Sequence, residues 1–440
     1  MSILSQQKQS VNTDFPNLRP SLDLRFALAK KLDPRITFTR GSSGTYFGPD
    51  GLMRTAGVNE PRFDHDPVTG QSLGLLVEEQ RTNLVRNNTA QGAVVGTPGT
   101  LPTNSYAFIA PSGITREITS IGTENGITYF DIRYYGVSAS SGEISWAPQT
   151  ATNTPITGGQ VVSASVYLKA VSGTFANISS LSVRVLDYTG STYLTESSTV
   201  FTTSSLQSST LQRYNHTRTT SASANGVVFS ITLNKTSAGP VDITLRIGMP
   251  QVELGPEPTS VIATTSSTVT RSTDNADMTG TNFSSWYNQT EGTFFTDVKS
   301  SAGFISGINA CPFGIFGAAN NIVLANYHSL SSIWFFRNSV GTNNAFFNVS
   351  MSTTQNRKSI ATYRTGTADY YTAAFGGSNL RNSTTNLTSA TPKTGTLRTD
   401  QISFELNPNK SGLVPLNGTI SRLTYYPIQV TNQQLINLTN

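Results

Sequence analysis

The chain has 440 residues, 36% of them hydrophobic and only 12% charged, with a formal net charge of +5. Disordered chains carry far more charge. Ser, Thr, Asn and Gly fill the gap here, which points to folded sheet under a hydroxyl and amide surface, as suits extracellular or particle-borne proteins and sugar contacts. No apolar run approaches the roughly 18 residues of a membrane-spanning helix, so no membrane insertion is expected, and the single cysteine, Cys311, excludes an intrachain disulfide.

Length suggests about three domains. The opening MSILSQQKQSVNTD lacks the basic-then-apolar pattern of a secretory signal, and the lone cysteine fits synthesis in a reducing cytoplasm. Residues 1 to 35 are polar and poorly periodic. A short helix is expected within Asp23 to Lys31, ahead of Asp33-Pro34. This region, read as an anchor, carries Arg19, Arg25, Lys30, Lys31 and Arg35, with Arg40 just beyond. These cations are scattered among Pro, Asp and apolar residues without a nucleic-acid-binding signature. They therefore predict contact with an acidic protein partner or with solvent, not with nucleic acid.

From Ile36 to Val85 the pattern is short strands and tight turns. Asp50-Gly51 signals one turn between Thr45-Tyr46-Phe47 and Leu52-Met53, and Pro67-Val68-Thr69-Gly70 signals another. Gln91 to Asn104 is a Gly/Pro/Thr-rich linker. Beyond it, apolar residues alternate at Val162, Ala164, Val166, Leu168, at Leu181, Val183, Val185, at Val227, Phe229, Ile231, Leu233 and at Val241, Ile243, Leu245, Ile247. Period two marks strands with one buried face, and several of them between polar turns predict a β-sandwich. Residues 263 to 282 are a Ser/Thr-rich connector without periodicity. Further strands are expected at Gly292 to Val298, Ile333 to Arg337, Ser359 to Arg364, Asp369 to Phe375, Gln401 to Leu406 and Ile420 to Tyr426. A helical turn capped by Thr431 or Asn432 and carrying Leu435 and Leu438 follows. The boundaries are thus 1–90, 91–262, 263–282 and 283–440, without a long internal repeat.

The chemistry-bearing residues are sparse. His65, His216 and His328 share no metal-ligand spacing, and the Asp64-His65-Asp66 run reads as a turn held by side-chain to backbone hydrogen bonds. Gly41-Ser42-Ser43-Gly44 is one residue short of a nucleophile elbow. Glu124, Asp131, Glu143, Glu291, Asp297, Asp369, Asp400 and Glu405 form no recognisable glycosidase pair, and the E-x-D-x-x-E strand motif is absent. No enzyme, cofactor or metal is expected. Aromatic side chains are the better candidates for stacking on sugar rings: Trp286, Tyr287, Tyr327, Tyr370 and Tyr371, with Trp334 read as core.

Three stretches carry resemblances. Arg40, Thr45, Tyr46, Asp50-Gly51, Glu60-Pro61-Arg62-Phe63-Asp64-His65-Asp66-Pro67, Gly70, Leu73-Gly74, Glu78 and Arg81-Thr82-Asn83-Leu84 resemble a segment of tailed-bacteriophage structural proteins, tail fibres and head spikes among them. Met249-Pro250-Gln251-Val252-Glu253-Leu254-Gly255-Pro256-Glu257-Pro258-Thr259-Ser260 resembles the end of phage domains of the carbohydrate-binding-module kind. The EGTFF opening at Glu291 and the GTISRLTYYPIQVTNQQLINLT ending are similar to laminin-G/concanavalin A-like lectin sandwiches. Together they imply an all-β chain: an N-terminal attachment segment, then two jelly-roll-like β-sandwiches, the last of them lectin-like. The implied function is a non-enzymatic virion protein, attached to other virion proteins by its N-terminal region and meeting host-surface polysaccharide through its last domain. By analogy with phage fibres it would be a homotrimer. The rival readings are a head spike, decoration or adaptor protein without sugar binding, and a polysaccharide depolymerase.

Overall fold

The computed structural model describes residues 19–300, 310–317, 322–328, 332–339, 342–350, 356–364, 371–376, 401–406, 408 and 413–430. The described chain is all-β apart from single helical turns such as Phe26–Ala29 and Thr281–Ser284. The expected capped turn at Thr431 to Leu438 and the first 18 residues of the expected anchor lie outside the described residues. Two compact units interleave along the sequence. One takes the chain up to Thr39, Ser72–Glu79 and everything from Asp274 on; the other takes Arg40–Gln71 and Gln80–Thr273. The first 90 residues therefore contribute to both units, because their short strands find partners far away in sequence.

In the first unit the strand Gly418–Tyr426 is the organiser. Glu291–Ser300 pairs along one of its edges, followed outward by Asn356–Arg364 and Tyr371–Gly376. Its other edge is shared by two short strands, Leu22–Leu24 against Leu423 to Tyr425 and Ser72–Val77 against Gly418 to Ile420. The two ends that carry the lectin resemblance are thus neighbours in one sheet. A second sheet runs in the order Thr37–Thr39, Asn275–Thr279, Gln401–Leu406, Ala310–Gly317, Ile322–His328, Ser332–Ser339 and Thr342–Ser350. The stretch expected to be an aperiodic connector accordingly contains a strand, Asn275–Thr279, inside this sheet. Rings close the sandwich: Phe294 lies 4.7 Å from Phe313 and Trp286 lies 5.4 Å from Phe404. The short helix at Phe26–Ala29 ends where Lys30 adopts φ 51°, shorter than expected because Leu22 to Leu24 is drawn into the sheet.

Two buried phenols fix the turn before Glu291. The Tyr363 hydroxyl donates to the Asn288 carbonyl at 2.5 Å; the Tyr425 hydroxyl accepts from the Asn288 N–H at 3.1 Å and donates to the Glu291 carbonyl at 3.0 Å. Burial pushes both phenols up, so they remain protonated donors.

The second unit is a sandwich of two five-stranded sheets. Sheet I runs Gln212–Thr219, Val161–Thr174, Gly239–Leu254, Ile127–Ser138, Ile114–Glu124; sheet II runs Thr192–Phe201, Ile178–Thr189, Gly226–Lys235, Gly142–Ala147, Tyr106–Ile109. Every alternating residue predicted to face inward does so: Val162 to Leu168, Leu181 to Val185, Val227 to Leu233 and Val241 to Ile247 meet in one core, with Phe130 and Trp146 5.2 Å apart. The segment after Arg40 supplies a hairpin, Gly44–Phe47 against Met53–Ala56. Its two turns interlock. Gly51 (φ 73°) sits so close to the Pro67 carbonyl, and Gly70 (φ 68°) to the Pro49 carbonyl, that a Cβ on either would lie 2.5 or 2.6 Å from that oxygen.

Gly74 tests the pairing of the early strand with the late one. Its φ is +103°, and a Cβ there would lie 2.2 Å from the Ile420 carbonyl oxygen. Gly74→Ala should cost the first unit about 3 kcal/mol or more, through strain and a broken ladder. Calorimetry would show one transition lowered and the second unit's transition unmoved; an unchanged thermogram would refute the pairing.

Candidate functional site

The residues expected to meet sugar do not assemble into a site. Trp286 is 3% exposed and sits within ring contact of Phe283, Phe294, Phe404 and Tyr425. It is a core residue, because the turn at Thr281–Ser284 folds it inward, and it has no face left for a ligand. Tyr287 is half-buried against Phe283 and Tyr425. Tyr370 lies outside the described residues. Tyr327, Trp334 and Tyr371 lie on described strands, but their side chains are outside the described set.

The basic residues expected at an attachment surface also divide. Arg40 is 1% exposed and donates to the carbonyls of Ser42, Gly57 and Glu60 at 2.9, 2.7 and 2.9 Å, so it braces a loop and is not a docking residue. Arg25 pairs with Asp23 at 2.7 Å, and Arg35 grips both carboxylate oxygens of Asp33 at 2.8 Å, holding that carboxyl below its usual range. Arg19, Lys30 and Lys31 are exposed.

The polar residues of the Arg62 to Asp66 run and of the Met249 to Ser260 motif are internal braces. Arg62 donates to Thr45 O and Ser260 Oγ at 3.0 and 2.8 Å. Asp64 accepts from the Phe47 N–H at 2.7 Å, His65 Nδ1 lies 3.1 Å from the Phe47 carbonyl, and Asp66 accepts from Val68 and Thr69 N–H. The Asp-His-Asp run thus holds turns, as expected. In the Met249 to Ser260 motif the buried Glu253 carboxylate accepts from Thr259 N, Thr259 Oγ1 and Gln251 Nε2 at 2.8, 2.6 and 2.8 Å. Arg271 adds bonds to Thr259 and Ser260, and Arg81 donates to the Leu254 carbonyl.

Two outward faces remain on the second unit. On sheet I the charges satisfy one another. Arg246 forks onto Asp131 at 2.8 and 2.9 Å and reaches Glu124, which Lys169 also holds; Arg133 forks onto Asp242 at 2.8 and 2.9 Å and meets Glu117 at 3.2 Å. Each guanidinium covers a ring, Arg246 over Tyr129 at 3.6 Å and Arg133 over Tyr135 at 4.4 Å. Bidentate pairing with stacking makes this a self-contained ladder.

Sheet II presents a different outer face. Its registers align Val200, Ser182, Thr232, Ser145 and Phe108 in one row; Ser198, Arg184 and Ser230 align in the next, and Ala147 pairs with Tyr106. These positions point away from the core because their neighbours Trp146, Val183 and Ile231 point into it. Aromatic side chains stand open around the hydroxyl floor: Phe108 54% exposed, Tyr193 50% and Tyr106 37%. Tyr188 meets Tyr193 edge-on at 5.9 Å. Thr232 is buried in that floor, its Oγ1 without a hydrogen-bond partner. Burial pushes the Tyr106 phenol up to about 12 and Tyr188 in the same direction, so both stay neutral donors and acceptors. Arg184 crosses the floor, bonding Glu143 from two strands away and Glu196 from the adjacent strand. The open rings can stack on a pyranose, with the exposed Ser198 and half-buried Ser145 hydroxyls on the same face.

Sequence reasoning missed Tyr106, Phe108, Tyr188, Tyr193 and Arg184. The signal was available in the phase opposite to the apolar alternation, as in Leu181-Ser-Val-Arg-Val-Leu-Asp-Tyr188, but nothing local says which outward phase is left uncovered.

No family model matches this chain, and no curated protein matches it. Among solved structures, the CBM40 carbohydrate-binding module of the Ruminococcus gnavus IT-sialidase, bound to alpha2,3 sialyllactose, aligns with TM-score 0.30 at 15% identity over 36% of this chain and 87% of its own. The CBM22-1-CBM22-2 tandem of Paenibacillus barcinonensis Xyn10C aligns with TM-score 0.24 at 10% identity over 78% of this chain and 99% of its own. The extracellular region of zebrafish Gpr126/Adgrg6 aligns with TM-score 0.21 at 10% identity over 76% and 37%. No residue role is carried over from any of them.

The sheet I ladder predicts an acid-labile second unit. Hydrogen bonds from Arg133 hold Asp242 below its ordinary value. Burial pushes Glu124 up, but hydrogen bonds from Lys169 and Arg246 outweigh it and leave Glu124 lowered. Both folded-state values lie below the unfolded ones, so the stabilisation is present above about pH 4 and disappears as pH falls through the folded values. Urea midpoints should drop between neutral pH and pH 3, and drop less in a Glu124→Gln/Asp242→Asn variant; an equal drop in both proteins would rule the ladder out as the cause.

Proposed function

We propose that this protein is a non-enzymatic structural subunit of a tailed-phage particle, a fibre or spike that holds host-surface polysaccharide on the outer face of sheet II. The observation that carries the sugar-binding half is the set of open rings, Tyr106, Phe108 and Tyr193, on one outer sheet face. This moves the contact from the last sandwich, where Trp286 is core, to the second unit. The particle half is supported by the resemblance of the Arg40 to Leu84 segment to phage structural proteins. Attachment would use the exposed Arg19, Lys30 and Lys31 together with Leu28, which is 74% exposed. Binding rather than cleavage is favoured because the carboxylates on both outer faces are engaged in ion pairs with Arg or Lys and form no free pair to flank a glycosidic bond. A trimer would multiply weak sites into useful avidity.

Affinity electrophoresis of the full chain through host-surface polysaccharide should show retardation. Tyr106→Ala and Tyr193→Ala should each weaken it about fivefold, with the melting temperature of Tyr193→Ala unchanged because that ring is half exposed. Polysaccharide incubated with the protein should keep its chain length. Shortening would establish a depolymerase, and retardation indifferent to both substitutions would displace the site. Imaging particles with this subunit labelled separates a fibre or spike from a head decoration.

A further inference from the structure

We infer that the sheet II face selects neutral glycans and turns away acidic ones; the inference rests on the sugar-binding reading above and specifies its ligand class. Three charged groups lie on this face close together. Arg184 is central and only 10% exposed at its side chain, and it is already shared by Glu143 and Glu196, whose side chains are 45% and 33% exposed. Arg184 Nη2 donates to Glu143, and Nη1 lies 3.2 Å from both Glu143 and Glu196. One cation facing two carboxylates leaves the cluster with a net charge of −1 at neutral pH. The guanidinium is spent on internal partners, and the more exposed members of the cluster are the anions. A uronate or sialate carboxylate approaching this floor would meet two like charges and find no unengaged cation there to receive it. A sugar hydroxyl carries no charge and meets no such penalty.

The geometry also sets ligand size. From Tyr106 on one edge strand to Tyr193 on the other the face spans five strands, about 19 Å at the usual strand spacing. Rings at both edges suit an extended oligosaccharide lying across the strands, not a single terminal sugar. Because recognition runs through hydroxyls and ring faces, affinity should barely depend on ionic strength.

The test titrates the full chain calorimetrically with neutral oligosaccharides of increasing length and with uronate-bearing counterparts. Neutral chains should bind, gaining affinity until they reach both edges, while acidic ones bind about tenfold more weakly. The double variant Glu143→Gln/Glu196→Gln, which keeps hydrogen-bonding side chains beside Arg184, should gain about tenfold for the acidic set and little for the neutral set. Equal or tighter binding of acidic chains by the unaltered protein would overturn the selectivity while leaving sugar binding intact. Binding of neither set would overturn both. A double variant whose preference does not move would also refute the role given to the Arg184 cluster.

Discussion

A buried carboxylate that must find every one of its hydrogen bonds organises the second unit. Glu253 ends the long strand Gly239–Leu254 inside the protein, where an unsatisfied charge would cost several kcal/mol, about as much as a small domain has to spare. It is satisfied only when the chain turns back, so that Thr259 donates from both backbone and side chain and Gln251 donates from beside it. That return places Ser260 where Arg62 and Arg271 can bond it, and Ile262 where Gln251 and Asn83 can hold it. The loop around Arg62 is thereby bolted to the end of the sandwich by polar contacts. Such contacts are poor sources of net stability but strict about geometry, since an apolar substitute would not demand this one path.

The two outer faces of that sandwich show opposite uses of polarity. On sheet I, arginines and carboxylates are consumed pairwise and the tyrosines lie under guanidinium groups. On sheet II, the rings stand open and the floor is hydroxyl. A chain with so few charges leaves most of its outward positions to Ser, Thr and Asn, which solvate a strand without reserving it for a fixed partner.

Legibility followed the range of the interaction. Period-two alternation, as at Val162 to Leu168 and Val241 to Ile247, is a local consequence of a half-buried strand and could be read directly. So could the Asp50-Gly51 and Pro67 to Gly70 turns, whose backbone demands are met by the residues themselves. Trp286 was misread because the feature that buries it, contact with Phe404 and Tyr425, lies more than a hundred residues away. The division into units was invisible for the same reason: nothing about Leu22 announces that its partner is Tyr425. Arg40 looked like a surface cation because sequence shows charge and not the three carbonyls that surround it.

The adjacency of Leu22–Leu24 and Gly418–Tyr426 bears on how the protein is made. A nascent chain emerges from its amino end, so these early strands leave the ribosome tens of seconds before their partner strand exists, at ordinary elongation rates. The residues from Gln80 to Thr273 can meanwhile collapse around their own core. Until translation reaches Tyr426 the Ser72–Val77 strand is an apolar ribbon with an unpaired edge, the state that chaperones capture and that aggregates otherwise. A stop between Val77 and Gly418 would leave the Ser72–Val77 strand without this partner, so such incomplete chains would be marked for removal by a segment they had already made.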